Sequence, residues 1–243
     1  TTLPRRAARD AGLLSKSPVA LLIAVLFIGG AAALISFFPR EGSTFTETVA
    51  AAPQYPPLTD AQRADFERWW DVQPKVDMPV DPEGAKVVIV KFNDFQCPPC
   101  RLTYNEYRGI IAKYTAAGQV KYVLKHFPLE AECNPQIQMN HYASCEAAAA
   151  VIMARASGTG EKLEQWVFDH QADLTPDVVK KAARDVGGIQ DFDARYSRAL
   201  QEVKADASMG QLLGVNSTPT FYINGRKIAQ SVPPQYFDAL IEM

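Results

Sequence analysis

Apolar, mostly β-branched residues run almost unbroken through "AKVVIVKFND", residues 85–94, and a short continuous run of this kind predicts a buried central strand. "QVKYVLKHFP", 119–128, alternates apolar and polar positions like a second strand. Between them "PPCRLTYNEYRGIIAKYTAAG" begins at prolines and stops at Gly118, the punctuation of a helix. Residues 85–128 therefore predict β-α-β. Helical periodicity then occupies 143–157, about 161–171, 176–186 and 191–209. "TPTFYINGRKIAQ" predicts two strands joined at Asn224-Gly225, a strong hairpin signal. A last helix covers about 234–242. The pattern describes an α/β domain over 81–243, in which a helical insertion at about 129–210 separates β-α-β from β-β-α.

Upstream the pattern changes. Residues 39–80 read as a linker containing one amphipathic helix, "TDAQRADFERWW" at 59–70. Thr59 or Asp60 caps it, and Phe66, Trp69 and Trp70 share one side that is expected to pack on the following domain. A turn-rich lead-in with a short edge strand around 75–80 follows. Further upstream, Val19 to Phe38 holds twenty residues without a charge, enough for a helix to span a bilayer core. Arg5, Arg6, Arg9 and Lys16 precede it. Residues 1–18 are therefore expected to be a cytoplasmic basic segment, 19–38 a transmembrane helix, and the rest to lie outside. A cleaved signal peptide is the competing reading, but its apolar stretch is shorter and its cleavage site lies close behind. The expectation is a single-pass protein of a bacterial cytoplasmic membrane, its domain on the periplasmic or extracellular side. The chain starts with Thr, so a processed chain or a longer parent is expected.

Composition changes the picture little, and charge more. With 47% hydrophobic and 21% charged residues the chain is ordinary globular material. Its net charge of −2 divides into about +4 over residues 1–40 and about −6 over the remainder. An acidic body argues against nucleic acid as a partner.

The candidate chemistry is "FNDFQCPPCR", 92–101, where Cys97 and Cys100 stand two residues apart around Pro98 and Pro99. Such a pair carries a redox disulfide, staples a loop, or holds zinc. A zinc ribbon needs a second close pair, and Cys133 and Cys145 have eleven residues between them, although His141 stands one helical turn from Cys145. No metal or cofactor is expected. An even cysteine count in an exported domain favours a Cys133–Cys145 disulfide; two buried free thiols and a second redox relay are the alternatives.

"FNDFQCPPC" and "VNSTPTFYING", on either side of a helical insertion, resemble the thioredoxin-fold thiol oxidoreductases of the DsbA type. The resemblance covers roughly 81–243, and the anchor adds similarity to membrane-anchored members. Some relatives are fused to a membrane domain of the vitamin K epoxide reductase type. The resemblance implies that Cys97 attacks or is attacked, that Cys100 resolves, and that Pro219 follows Thr218 through a cis bond facing the pair. A helix N-terminus stabilises a thiolate, which supports the nucleophilic role of Cys97. One position departs from the pattern: Lys91 stands where many relatives carry a buried Glu. As a cation near the site it favours thiolate; as a strand-end lysine it snorkels to solvent. Asp94 or Glu106 is the candidate replacement acid. His126 lies near the site or is structural, and His170 reads as surface.

Three functions follow. The favoured one is a membrane-tethered thiol:disulfide oxidoreductase that introduces disulfides into reduced exported proteins and is re-oxidised by a quinone-linked membrane partner of the DsbB or vitamin K epoxide reductase type. The second is a tethered reductase or isomerase, for example in cytochrome maturation. The third is a non-catalytic, zinc-stabilised or peptide-binding module.

Overall fold

The computed structural model describes residues 55–137 and 141–243. A four-stranded sheet lies at its centre, in the order β2-β1-β3-β4. The strands are β1 (Val87–Asn93), β2 (Val120–His126), β3 (Thr220–Ile223) and β4 (Arg226–Ala229). β2 is parallel to β1, β3 is antiparallel to β1, and β4 is antiparallel to β3. β1 is central, which is why its side chains are apolar on both faces: Ile89, Val90 and Phe92 are wholly buried. Each contributes about 1.5–3 kcal/mol through burial.

The helices are α1 (Asp60–Asp71), α2 (Pro98–Ala116), α3 (Ser144–Ala156), α4 (Gly160–Asp169), α5 (Pro176–Asp185), α6 (Phe192–Leu212) and α7 (Pro234–Glu242). α2 crosses from β1 to β2 as expected, and α3 to α6 form the insertion. One face of the sheet packs on α2 and α7 through Ile89, Tyr107, Phe221 and Phe237. The other meets α6 through Val90, Phe92, Tyr222 and Ala207. Gly210 permits that approach, because a Cβ there would stand 2.6 Å from the Phe127 ring. A third cluster fills the insertion and includes Cys97 and Cys100, so the dithiol sits at the seam between sheet and insertion.

The hairpin turn has Asn224 at φ 47° and Gly225 at φ 83°, the left-handed pair of a type I′ turn. The Asn224 side chain ties it to β1, accepting from the Val88 N–H at 2.8 Å. The edge strand expected around 75–80 does not form. Only Lys75 bridges to Arg226, and Pro79 and Pro82 have no N–H to extend a ladder. α1 has a full capping box of Thr59 and Gln62. It buries Trp70 against the sheet core, with Phe66 packed at its margin, whereas Trp69 stays 44% exposed.

The localisation expected above is corrected. Among the described residues no helix is long and apolar enough to cross a membrane. The two with sufficient length show why: α2 carries Arg101, Glu106, Arg108 and Lys113, and α6 carries charges along its whole length from Asp193 to Asp206. The span expected at 19–38 and the basic segment at 1–18 lie outside the described residues. Single-pass placement in the cytoplasmic membrane is therefore withdrawn.

Candidate active site

β1 ends at Asn93, and the chain turns through Asp94, Phe95 and Gln96 into α2. Cys97 is the N-cap of that helix, with Pro98 and Pro99 exposed in its first turn. The prolines cost the helix nothing there, since first-turn N–H groups have no partner within it. Both cysteines are free thiols. Cys97 is 6% exposed and Cys100 wholly buried, one turn deeper. The Cys97 thiol donates to the Thr218 carbonyl at 3.2 Å, and the Thr218–Pro219 bond is cis. Two segments 121 residues apart thus meet at one sulfur.

The two thiols are electrostatically opposite. Cys97 is drawn down to about 6, first by a hydrogen bond from the Cys100 thiol, then by the Thr218 side chain and the Cys100 N–H, against burial and the Asp94 charge. The Thr218 hydroxyl is buried beside that sulfur and has no hydrogen-bond partner among the described residues, which leaves its hydrogen for a Cys97 thiolate. Cys100 is raised well above the ordinary thiol range, first by burial and then because its hydrogen serves Cys97. The upper thiol becomes a thiolate while the lower one stays protonated.

Lys91 does not snorkel. It is 2% exposed, and its Nζ donates to the Cys100 carbonyl at 3.3 Å. The Phe168 and Phe221 rings lie 5.6 and 5.8 Å from it. Burial lowers its affinity for a proton, and the cysteines and Glu164 oppose that. Its charge acts on Cys100, drawing that thiol down against burial. His126 is buried beside Phe95 and pushed down to about 3, first by burial and then by Arg155 and Lys125, so it is a neutral imidazole. His170 is exposed and stacks on Trp166 at 4.0 Å.

Of the two candidate acids, Asp94 is at the site. Its N–H points at the Cys100 sulfur, 3.4 Å away, and its carbonyl accepts the Cys97 N–H at 3.3 Å. The Glu106 charge acts instead on Tyr107 and Tyr55. Cys133 and Cys145 form a disulfide with a Cα separation of 6.0 Å, so Cys145 is unavailable as a metal ligand. His141 turns to Asp94 rather than to Cys145.

Three supporting side chains carry no sequence signal. Gln171, 8% exposed after α4, donates through Nε2 to the carbonyls of Phe95 at 2.7 Å and Cys97 at 3.0 Å. Gln96 caps α3 from outside, accepting from the N–H groups of Tyr142 and Ala143. Ser144 donates to Asp94 at 2.7 Å. Their partners lie 46 to 76 residues away, beyond any local pattern.

Residues 77–243 match a family model described as thioredoxin. Among solved structures the fold is similar to alpha-DsbA1 from Wolbachia pipientis, at 19% identity and TM-score 0.56, over 69% of this chain and 92% of that one. It is also similar to BdbD from Bacillus subtilis, at 20% identity and TM-score 0.54, over 70% and 91%. Curated relatives include proteins named Na(+)/H(+) antiporter, NhaA 1 from Mycobacterium at 31% identity over 61% of this chain and NhaA 3 from Salinispora tropica at 30% over 64%. The chain spans only about a quarter of their length. These partial matches lend no support to the single-pass anchor expected above.

Proposed function

The chain belongs to the thioredoxin family, and on that premise we propose that it is a protein thiol:disulfide oxidoreductase that donates the Cys97–Cys100 disulfide to reduced proteins. The observation that carries this reading is the geometry of the pair: Cys97 caps α2 against the Thr218 carbonyl with Cys100 wholly buried beneath it, an arrangement that draws Cys97 down to about 6 and holds Cys100 protonated. A substrate thiolate attacks the Cys97 sulfur of the oxidised pair. The Cys97–Cys100 bond breaks, and Cys100 leaves and takes up a proton. The substrate's second thiolate then attacks its own sulfur in the mixed disulfide and releases Cys97 as thiolate. Two electrons pass from the substrate dithiol to the pair. Cys97 is the better final leaving group because its thiolate is the stabilised one.

The direction follows from the same stabilisation, since a stable reduced form makes an oxidant. The proposed partners are reduced exported proteins as substrates and a quinone-linked re-oxidase of the DsbB or vitamin K epoxide reductase type, which removes the two electrons. The antiporter name of the curated relatives describes much longer proteins, and no transport role is carried over. Equilibration with glutathione buffers tests the proposal. The expected potential lies between about −120 and −270 mV, in the more oxidising half of that interval. A value at or below the lower figure, with insulin reduction faster than oxidation of reduced ribonuclease, makes the protein a reductase.

A further inference from the structure

Asp94 is an unusual companion for a thiolate. Its side chain is wholly buried, three residues before Cys97 and touching both cysteines through its backbone. Four donors converge on the carboxyl group: the Gln96 N–H at 2.7 Å, the Ser144 hydroxyl at 2.7 Å, the Leu129 N–H at 2.6 Å and His141 Nδ1 at 2.8 Å. A carboxyl group that only accepts is the ionised form. A buried negative charge beside Cys97 opposes thiolate formation. A buried charge is costly unless it is paired, and of the four donors only His141 can carry a positive charge.

His141 is built for that pairing. It comes from the segment tied at both sides by Cys133 and Cys145, and its side chain is 20% exposed. The ionisable groups acting on it are Asp94 from the β1–α2 turn, Cys97 from the start of α2 and Glu130 from the segment after β2. All three favour its protonated form, Asp94 first, and only burial opposes them. Glu130 is itself raised to about 7 by burial, and Asp94 is the carboxylate in direct contact with the ring, at 2.8 Å.

We propose that His141 is a positioning residue of the dithiol site: as imidazolium it cancels the Asp94 charge next to Cys97 and thereby favours the Cys97 thiolate. This inference rests on the dithiol reading above. It predicts a reciprocal effect, because coupling between two sites is symmetric. His141 holds its proton to a higher pH when Cys97 is a thiolate than when Cys97 is in the disulfide.

Two measurements test it. In the wild-type protein, the ring resonances of His141 are followed by NMR against pH in the oxidised and reduced states, and are expected to titrate later in the reduced state. Coincident titrations overturn the proposal. In variants, Cys97 is alkylated at pH 6 and quantified by peptide mass. His141→Gln is expected to slow labelling by roughly threefold to tenfold, and His141→Lys, which keeps a cation, to recover most of that loss. A role confined to holding the loop predicts lower Tm in both variants with no change in Cys97 labelling, and that result overturns it. Slow labelling of Cys97 already in the wild type removes the dithiol reading as well, so the two failures are distinguishable.

Discussion

The chain places a cysteine at the start of two helices. Cys97 caps α2, and Cys145 stands in the first turn of α3. Both are buried, and both have an acidic side chain close by, Asp94 for one and Glu130 for the other, whose Oε2 accepts the Cys145 N–H at 2.9 Å. The helix end and the burial are therefore shared, and neither separates a nucleophile from a staple. What separates them is the company of the sulfur. Cys97 has the Cys100 thiol as donor, the Thr218 backbone and side chain against it, and exposed prolines beside it that leave an approach from solvent. Cys145 is covalently paired to Cys133 inside the insertion core. A helix N-terminus stabilises a thiolate only where a free sulfur stands there with donors aimed at it.

The largest effect expected from this comparison is a separation of chemistry from stability. Cys97→Ala is expected to abolish disulfide transfer altogether and, at or below about pH 6 where the Cys97 thiolate contributes nothing to stability, to leave thermal unfolding of the reduced protein near the wild-type value. The pair Cys133→Ala and Cys145→Ala is expected to do the reverse. A crosslink across a sequence separation of 12 residues contributes about 3 kcal/mol on the chain-entropy account. Urea unfolding is expected to show that loss while alkylation of Cys97 at pH 6 stays within about twofold. Loss of Cys97 reactivity in the double variant would mean that the two cysteine sites are not separable in this way.

The part of this contrast that was legible in the sequence is the part encoded locally. The apolar run of β1, the prolines at the start of α2 and Asn224-Gly225 each specify their own geometry within a few residues, and all three elements stand where the pattern puts them. Pairing of Cys133 with Cys145 followed from counting, and Thr218 beside Cys97 from resemblance. The electrostatic surroundings were not legible, because they are assembled across the fold. Lys91 reads as a cation near the site or as a snorkelling strand-end lysine; only the packing of Phe168 and Phe221 around it decides. Asp94 was one of two candidate acids, and the donors that mark it out come from Leu129, His141 and Ser144, 35 to 50 residues on.

A smaller effect is expected in pH dependence. Cys97 is held at about 6, below the ordinary thiol range. From about pH 6 to the ordinary thiol range, the unfolded reduced chain therefore binds a proton that the folded protein has lost, and stability rises with pH. Below about 6 that contribution is gone. Above the ordinary range Cys100 acts in the other direction, because the folded protein keeps a proton that the unfolded chain has released. His126, pushed down to about 3, and Glu130, raised to about 7, contribute in both redox forms and cancel in their difference. With the staple intact, the stability of the reduced form relative to the oxidised form is expected to rise between pH 6 and 8 by at most about 1.4 kcal/mol per unit. A flat difference would show that the Cys97 sulfur is no better placed for a thiolate than an ordinary one.

The smallest effect tests how far the insertion holds the site in place. Gln171 spends both hydrogens of one amide group on the carbonyls of Phe95 and Cys97, from a turn that follows α4. The Cys97 carbonyl also receives the first helical N–H bonds, from Cys100 at 3.0 Å and Arg101 at 3.4 Å, so Gln171 fixes the peptide group that orients the start of α2. The Cys145 end is tied differently, by acceptors only: Gln96 takes the N–H groups of Tyr142 and Ala143, and Glu130 takes that of Cys145. Gln171→Leu keeps the volume and removes both donors, leaving the Phe95 carbonyl short of its side-chain partner. The cost is about 1–2 kcal/mol in urea unfolding. A backbone less firmly held at Cys97 aims the donors of the first turn less well, so alkylation of Cys97 at pH 6 is expected to slow by about twofold to fivefold. Gln171→Glu sharpens the point. It replaces the donating amide by a carboxylate facing two carbonyls, and a larger loss of both stability and Cys97 reactivity than in Gln171→Leu is the expected order. The opposite order would mean that the side chain fills space at the seam and does not orient the peptide at Cys97.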